Sequence, residues 1–323
     1  GKGTVVDYLV RTKPVAGVVR WNGGPQASHH VVLPDGRWHG FSQFGAGTFH
    51  PGVRTHLAKG MLVEPWNLLA EDLALKEKGV SDAIARTTID PRCIVVGPWH
   101  KLLGQMREAV RGKDRHGSVG MGVGAAVELA RTLASDTLVM GDLVAGRDLI
   151  RAKVAKGVDA VLGSTVTASL EVRDRELMNA RGLHEAIGLL EDFKRRGRLD
   201  ADVLADQLHS FVKAYGSVLR RDERQIAELL RRGDVVFEGA QGVLLDPVLG
   251  CPPYVTKTRM TIAGVKELAP DVPREVIGVL RAFGHRHGAG PFPSERSRED
   301  SLLRGEHNQE NRWQGPFRTG AFD

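Results

Sequence analysis

The stretch richest in potential chemistry is Val235-Val236-Phe237-Glu238-Gly239-Ala240-Gln241-Gly242-Val243-Leu244-Leu245-Asp246. A β-branched and aromatic run that ends in Gly-Ala-Gln-Gly reads as a buried strand delivering one carboxamide and side-chain-free backbone to the rim of a sheet. Ligands of open α/β sheets sit at the carboxyl ends of the strands. A carboxamide carries donors and an acceptor together, which suits the edge of a heteroaromatic base. Gln241 is therefore a candidate binding residue. Gly1-Lys2-Gly3 has the look of the tail of a phosphate loop, a cation set beside the free N–H groups of a helix start. Trp21-Asn22-Gly23-Gly24-Pro25-Gln26-Ala27-Ser28-His29-His30 breaks a strand and brings two adjacent histidines. Gly117-Ser118-Val119-Gly120-Met121-Gly122-Val123-Gly124 opens a helical run.

These candidates need elements to hold them. Val15 to Arg20 has strand character, and a short helix-like segment, Thr4 to Val10, precedes it. Helical periodicity runs from about Trp66 to Lys78, from His100 to Val110, and from the Gly117–Gly124 segment to about Ala134. Between Arg181 and Arg232 it is almost continuous, with breaks near Gly197 and Arg221. Strands are expected at Cys93–Gly97, from Val235, and at Val276–Phe283, with a helix near Ile262–Leu268. Strands separated by long helical insertions make this a mixed α/β chain with a largely helical lobe at about 181–232. There is no internal repeat and no Pro- or Ser-rich linker, so residues 1–323 read as one domain.

The bulk numbers restrict partners. At 323 residues, 41% hydrophobic and 26% charged, the composition is that of a globular domain. No apolar run approaches membrane-spanning length, and no secretory signal is evident. Two cysteines, Cys93 and Cys251, are too few for a disulfide framework and fit a reducing cytoplasm, with Cys93 a core residue. The net charge of +6 comes from arginines spread along helical segments, as in Lys194-Arg195-Arg196-Gly197-Arg198. That dispersal argues for solvated helix ends rather than a nucleic-acid interface. Residue 1 is Gly, and Asp323 follows a functional-looking stretch with no closing element. The chain reads as a piece cut from a longer protein at both ends.

Five blocks at predicted turns occur in the order found in one enzyme family. They are Gly1-Lys2-Gly3-Thr4-Val5-Val6-Asp7, the Trp21–His30 segment, the Gly117–Gly124 segment, Glu238-Gly239-Ala240-Gln241-Gly242, and a last pair. That pair is Pro253-Tyr254-Val255-Thr256 with Gly288-Ala289-Gly290-Pro291-Phe292-Pro293-Ser294-Glu295. In this ordered set the chain resembles adenylosuccinate synthetase over most of its length. The resemblance implies a P-loop-NTPase-like fold with a mostly parallel central sheet and a helical insertion lobe. It also implies a cytoplasmic homodimer joining L-aspartate to C6 of a 6-oxopurine nucleotide, with GTP and Mg2+. The nucleotide is IMP for the main family and dGMP for a phage-type branch, with GTP or ATP as donor; a non-catalytic nucleotide-binding paralogue is the remaining alternative.

Physically, the O6 of a purine lactam is a poor leaving group and must first become a phosphate ester. This needs a base for the N1 proton, donors for charge growing on O6, and a cation for the transferring phosphoryl group. The family's base is an Asp upstream of Gly1-Lys2-Gly3, so it lies outside this sequence. The resemblance casts His29 as the acid towards O6, with His30 one residue along as the register competitor. Gln241 would face the reacting edge of the purine. Gln26, Ala27, Ser118, Val119 and Thr256 would hold the substrate nucleotide, and Gly1, Lys2, Gly3 and Arg318 the donor phosphates. Ser28 would offer its backbone carbonyl to magnesium.

The chain departs from the family at several of these positions. Ser28 replaces a Gly, and Val119 replaces a Thr whose hydroxyl contacts phosphate. Between Asn308 and Asp323 an arginine-rich stretch is largely gone. Only Arg318 keeps its register, so Arg312 and Arg318 would carry the two aspartate carboxylates, which normally call for bidentate guanidinium contacts.

Overall fold

The computed structural model describes residues 1–171, 180–219, 224–296 and 310–322. Its centre is a four-stranded, all-parallel sheet in the order β5-β4-β1-β6. β1 is Val15–Arg20, β4 Arg54–Leu57, β5 Thr87–Ile89 and β6 Asp234–Glu238. The β-branched runs of β1 and β6 suit strands covered on both faces, and Val18 and Val19 are fully buried. β1 and β6 end in register, Arg20 beside Glu238. This puts two charged residues at the carboxyl edge of an otherwise apolar pair.

Helix α1, Lys2–Thr12, packs against a hairpin of β2 (His29–Val32) and β3 (Trp38–Phe41). The helical part comprises α2 (Pro65–Lys76), α3 (Pro98–Arg111), α4 (Val123–Leu133), α5 (Arg147–Leu162), α6 (Thr165–Glu171), α7 (Ala180–Arg195) and α8 (Ala201–Tyr215). Pro65 and Pro98 start their helices where a missing N–H costs nothing. Asp200 caps α8 by accepting from Asp202 N–H and Val203 N–H. α7 packs on α3 and α8 on α5, and one apolar cluster runs from Val6 of α1 to Phe211 of α8. α9 (Gln225–Leu230) covers β1 and β6, and α10 (Ala263–Leu268) follows the loop after β6. A small antiparallel sheet of β7 (Gly284–His287), β8 (Glu295–Arg296) and β9 (Phe317–Gly320), in the order β7-β9-β8, completes the described elements.

Two expected strands differ. Cys93–Gly97 makes only isolated bridges, Val63 with Val95 and Ile94 with Val139, although Cys93 is buried as expected. Val276–Phe283 is not a strand. Val276, Ile277 and Leu280 are exposed, and the ladder begins only at Gly284. A strand needs a partner for its backbone groups, and among the described residues none pairs with this segment. α5, which precedes residue 181, packs on α8. The expected break near Arg221, and the ends Asn308 and Asp323 of the altered stretch, lie outside the described residues.

Buried histidines weigh on the acid stability, and His56 and His100 are the two whose pKa values are displaced to about 4 and about 3. His56 in β4 pairs its Nδ1 with Thr88 Oγ1 at 2.9 Å, and burial lowers its pKa to about 4. His100 is fully enclosed and lowered to about 3 by the same cause. Its two nitrogens face Gly97 N–H at 3.0 Å and Trp99 Nε1–H at 3.1 Å; a neutral imidazole accepts from one of them and an imidazolium from neither. A folded-state pKa below the unfolded value means the unfolded chain takes up protons first. Stability therefore falls as pH drops from about 6.5 towards these lower values, by roughly 1.4 kcal/mol per pH unit for each ring. Thermal melts between pH 7.5 and 5 are expected to show a steep fall, flattened in a His56→Asn variant. An equal slope in that variant would remove His56 from the account.

Candidate functional site

The carboxyl edge of β1 and β6 gathers the chemistry. Glu238, the last residue of β6, is buried and bonded through Oε1 to His29 Nδ1, while its Oε2 accepts Ala46 N–H at 2.9 Å. Three residues on, the Gln241 carbonyl accepts from Lys2 Nζ at the start of α1. Gly3 lies so close to the hairpin that a Cβ on it would stand 2.5 Å from the His30 carbonyl oxygen. Only glycine allows α1 to begin here, and this fixes Lys2 beside His29. Asn22, just past β1, accepts Ala240 N–H at 2.8 Å through its Oδ1. Lys2, His29, Glu238 and Gln241 thus occupy one corner.

The electrostatics follow from burial. Arg20 is fully enclosed and donates to Phe44 O at 3.0 Å, while its Nε and Nη2 find no partner among the described residues. Burial lowers the pKa of His29, opposed by Glu238 and reinforced by Arg20 and Lys2. Lys2 is likewise lowered by burial, with Glu238 opposing and Arg20 adding. Burial alone would raise Glu238, but the His29 contact, the Arg20 charge and Ala46 N–H outweigh it and hold the carboxyl below its ordinary range. The consistent state is an ionised Glu238 facing a His29 with its proton on Nδ1, leaving Nε2 for other partners. Gln241 has φ +60°, and its side-chain Oε1 is buried with no bond. Such a carbonyl is costly unless something donates to it.

A second group lies next to the first. Gln26 has a buried Oε1 with no partner among the described residues and stands beside Gly24, which packs on Val123 at the start of α4. Ala27 N–H donates to Gly24 O at 3.2 Å. Ser28 is exposed between Ala27 and the buried His29. In the loop before α4, Ser118 is exposed and its Oγ accepts Gly120 N–H at 3.2 Å, while Val119 is half-buried. Gly120, at φ +79°, lies against the Trp313 indole, where a Cβ would clash. Thr256 shares a hydroxyl contact with Thr258 at 3.3 Å, and its N–H donates to Leu245 O at 2.8 Å.

The two arginines fall elsewhere. Arg318 spends its guanidinium on Glu295 and on the carbonyls of Gly288 and Gly290, at 3.1 and 2.8 Å, so it staples the Gly288–Gly290 turn. Arg312 is exposed, bonded to Glu185 at 2.7 Å, and lines a cavity of about 730 Å3 with Lys113, Arg115 and His184. The residues that sequence reading passed over are Arg20, Asn22 and Glu238. A lone acid closing an apolar strand is the signal that could have marked Glu238.

The sequence profile of adenylosuccinate synthetase matches residues 1–323. The chain belongs to the adenylosuccinate synthetase family. Among relatives in that family, the Pseudomonas fluorescens adenylosuccinate synthetase is 30% identical over 299 residues, covering 91% of this chain and 62% of the relative. The Vibrio cholerae enzyme is 31% identical with the same coverage. The chain therefore spans about 62% of the length of these relatives. The fold is similar to that of a fully ligated adenylosuccinate synthetase from Plasmodium falciparum, with a TM-score of 0.75 at 19% identity over 99% of this chain and 68% of that one. It is also similar to cyanophage S-2L succinoaminodeoxyadenylate synthetase bound to dGMP and dATP, with a TM-score of 0.62 at 20% identity over 100% of this chain and 75% of that one. Both likenesses agree with the expected mixed α/β architecture around a parallel sheet.

Proposed function

We propose that this chain carries the purine-activating part of a ligase that joins L-aspartate to C6 of IMP, with GTP supplying the phosphoryl group. The observation that carries this reading is the corner of Lys2, His29, Glu238 and Gln241 at the carboxyl edge of the parallel sheet. Gln241, whose buried side-chain Oε1 has no bond among the described residues, reads the reacting edge of the base. Lys2 and the first N–H groups of α1 meet the donor phosphates, with Gly1 and Gly3. Ser118, the backbone amides beside Val119, Gln26, Ala27 and Thr256 hold the substrate nucleotide. His29, held by Glu238, presents Nε2 to O6. A phosphoryl group arriving there raises the pKa of the ring, so the substrate itself charges the acid.

Among the described residues no group of three or more His, Cys, Asp or Glu could hold a metal. Magnesium in phosphoryl transfer leans on phosphate oxygens and one or two protein oxygens, and the backbone carbonyl of Ser28, an exposed residue, would suit that sparse need. Bound there, the ion would neutralise charge on the transferring group. With Arg312 on Glu185 and Arg318 on Glu295, neither is free to grip aspartate without rearrangement. Val119, standing where the family has a Thr hydroxyl on the nucleotide phosphate, favours a second reading of the acceptor. A deoxyguanylate acceptor, with ATP as an allowed donor, belongs to that divergent branch. We further propose a homodimer in a reducing cytoplasm.

The test is turnover by the full-length protein with IMP or dGMP, aspartate, magnesium and GTP or ATP, read by mass spectrometry of the succinylated nucleotide. Product from IMP supports the first reading and product from dGMP alone the second. Binding without product from either would leave a nucleotide sensor and overturn both.

A further inference from the structure

One buried carboxylate outside the corner has an unusual set of partners. Asp246 is fully enclosed, and its Oδ1 accepts Val248 N–H at 2.9 Å and Leu249 N–H at 3.4 Å. Its Oδ2 accepts Met260 N–H at 2.8 Å, fourteen residues along the chain. These N–H groups hold its carboxyl below the usual carboxylate range. The same segment is tied by Gly250 N–H to Asp246 O and by Thr256 N–H to Leu245 O, both at 2.8 Å. The carboxylate thus closes residues 246–260 into a knot, with Thr256 inside it.

The knot is also docked. Asn22 Nδ2 donates to Arg259 O at 3.0 Å, while Asn22 Oδ1 accepts Ala240 N–H. Arg259 O and Met260 N–H belong to one peptide unit. That unit is gripped at its oxygen from the end of β1 and at its nitrogen from the chain leaving β6. Ala240 precedes Gln241, so one amide side chain and one carboxylate set the distance between the Gln241 edge and Thr256.

We propose that Asp246 is a positioning residue that fixes the Thr256 loop against the Gln241 strand end, and so sets affinity for the substrate nucleotide. This rests on the reading of Thr256 as a nucleotide contact. An Asp246→Asn variant keeps one oxygen but turns an NH2 group against one set of backbone donors. It is expected to raise the nucleotide KM tenfold or more, with kcat within threefold and the aspartate and donor KM values unchanged. Thr256→Ala in that background is expected to add nothing. A uniform loss of kcat with unchanged KM, or fully additive effects, would overturn the proposal.

If the unaltered protein gave no turnover, the ligase reading would fail on its own, and nucleotide Kd for the two proteins would carry the same comparison. Should Asp246→Asn fail to fold, hydrogen exchange on the unaltered protein decides. The amides of Val248, Leu249 and Met260 are expected to open together and to be slowed by nucleotide but not by aspartate. Separate exchange, or no response to nucleotide, would overturn it.

Discussion

His29→Ala is expected to lower kcat for ligation by about a hundred- to ten-thousandfold, the range associated with a lost general acid. Nucleotide Kd should stay within a few-fold, since the ring is buried and, among the described residues, bonds to Glu238. The Ala variant also leaves Glu238 facing a void. His29→Asn answers this, because its amide can donate to Glu238 while offering no proton at the Nε2 position. If the loss comes from missing acid chemistry, both variants are equally slow in single-turnover measurements. Recovery of the rate in the Asn variant would make His29 a mere partner of the carboxylate.

Glu238 carries the second large effect, in two separable parts. Glu238→Ala strips the nearest anion from a corner that also holds Arg20 and Lys2, and among the described residues Arg20 donates to the Phe44 carbonyl alone. Removing one side of such a buried charge set costs about 3–5 kcal/mol, so the variant is expected to melt much earlier. Glu238→Gln keeps the shape but loses the charge and one acceptor, turning an NH2 group towards either Ala46 N–H or the His29 ring. Without that charge the ring of His29, already lowered by burial and by Arg20 and Lys2, is harder to protonate in the complex. A reaction that needs the protonated ring fades once pH exceeds that ring's pKa. The alkaline limb of the kcat profile is therefore expected to move to lower pH in Glu238→Gln, with kcat at neutral pH down by at least tenfold. An unshifted limb would separate Glu238 from the chemistry of His29.

Much of this was legible from residue pattern. Val15–Arg20 is the strand its β-branched run implied, and the helical run after the Gly117–Gly124 segment is α4. The apolar run ending at Glu238 delivers Gln241 to a sheet rim, as Gly-Ala-Gln-Gly suggested. What pattern could not give was partnership. Val276–Phe283 has strand composition but no ladder among the described residues, and Cys93–Gly97 has apolar side chains yet only isolated bridges. The β2–β3 hairpin went unread because it is short and its polar residues, His29, His30 and His39, interrupt the alternation. Spacing in sequence also says nothing of a 209-residue contact such as His29 with Glu238. Nor could it foretell that Arg318 would serve Glu295 and a glycine turn, or that Arg312 would sit over a cavity beside Glu185.

The most direct measurement is a crystal structure of the protein soaked with a 6-oxopurine nucleotide. The expected map puts O6 within hydrogen-bond reach of the His29 imidazole, with the Gln241 carboxamide on the same edge of the ring. A base seated in the basic cavity beside Arg115 and Arg312, with the His29 corner filled only by water, would contradict the account.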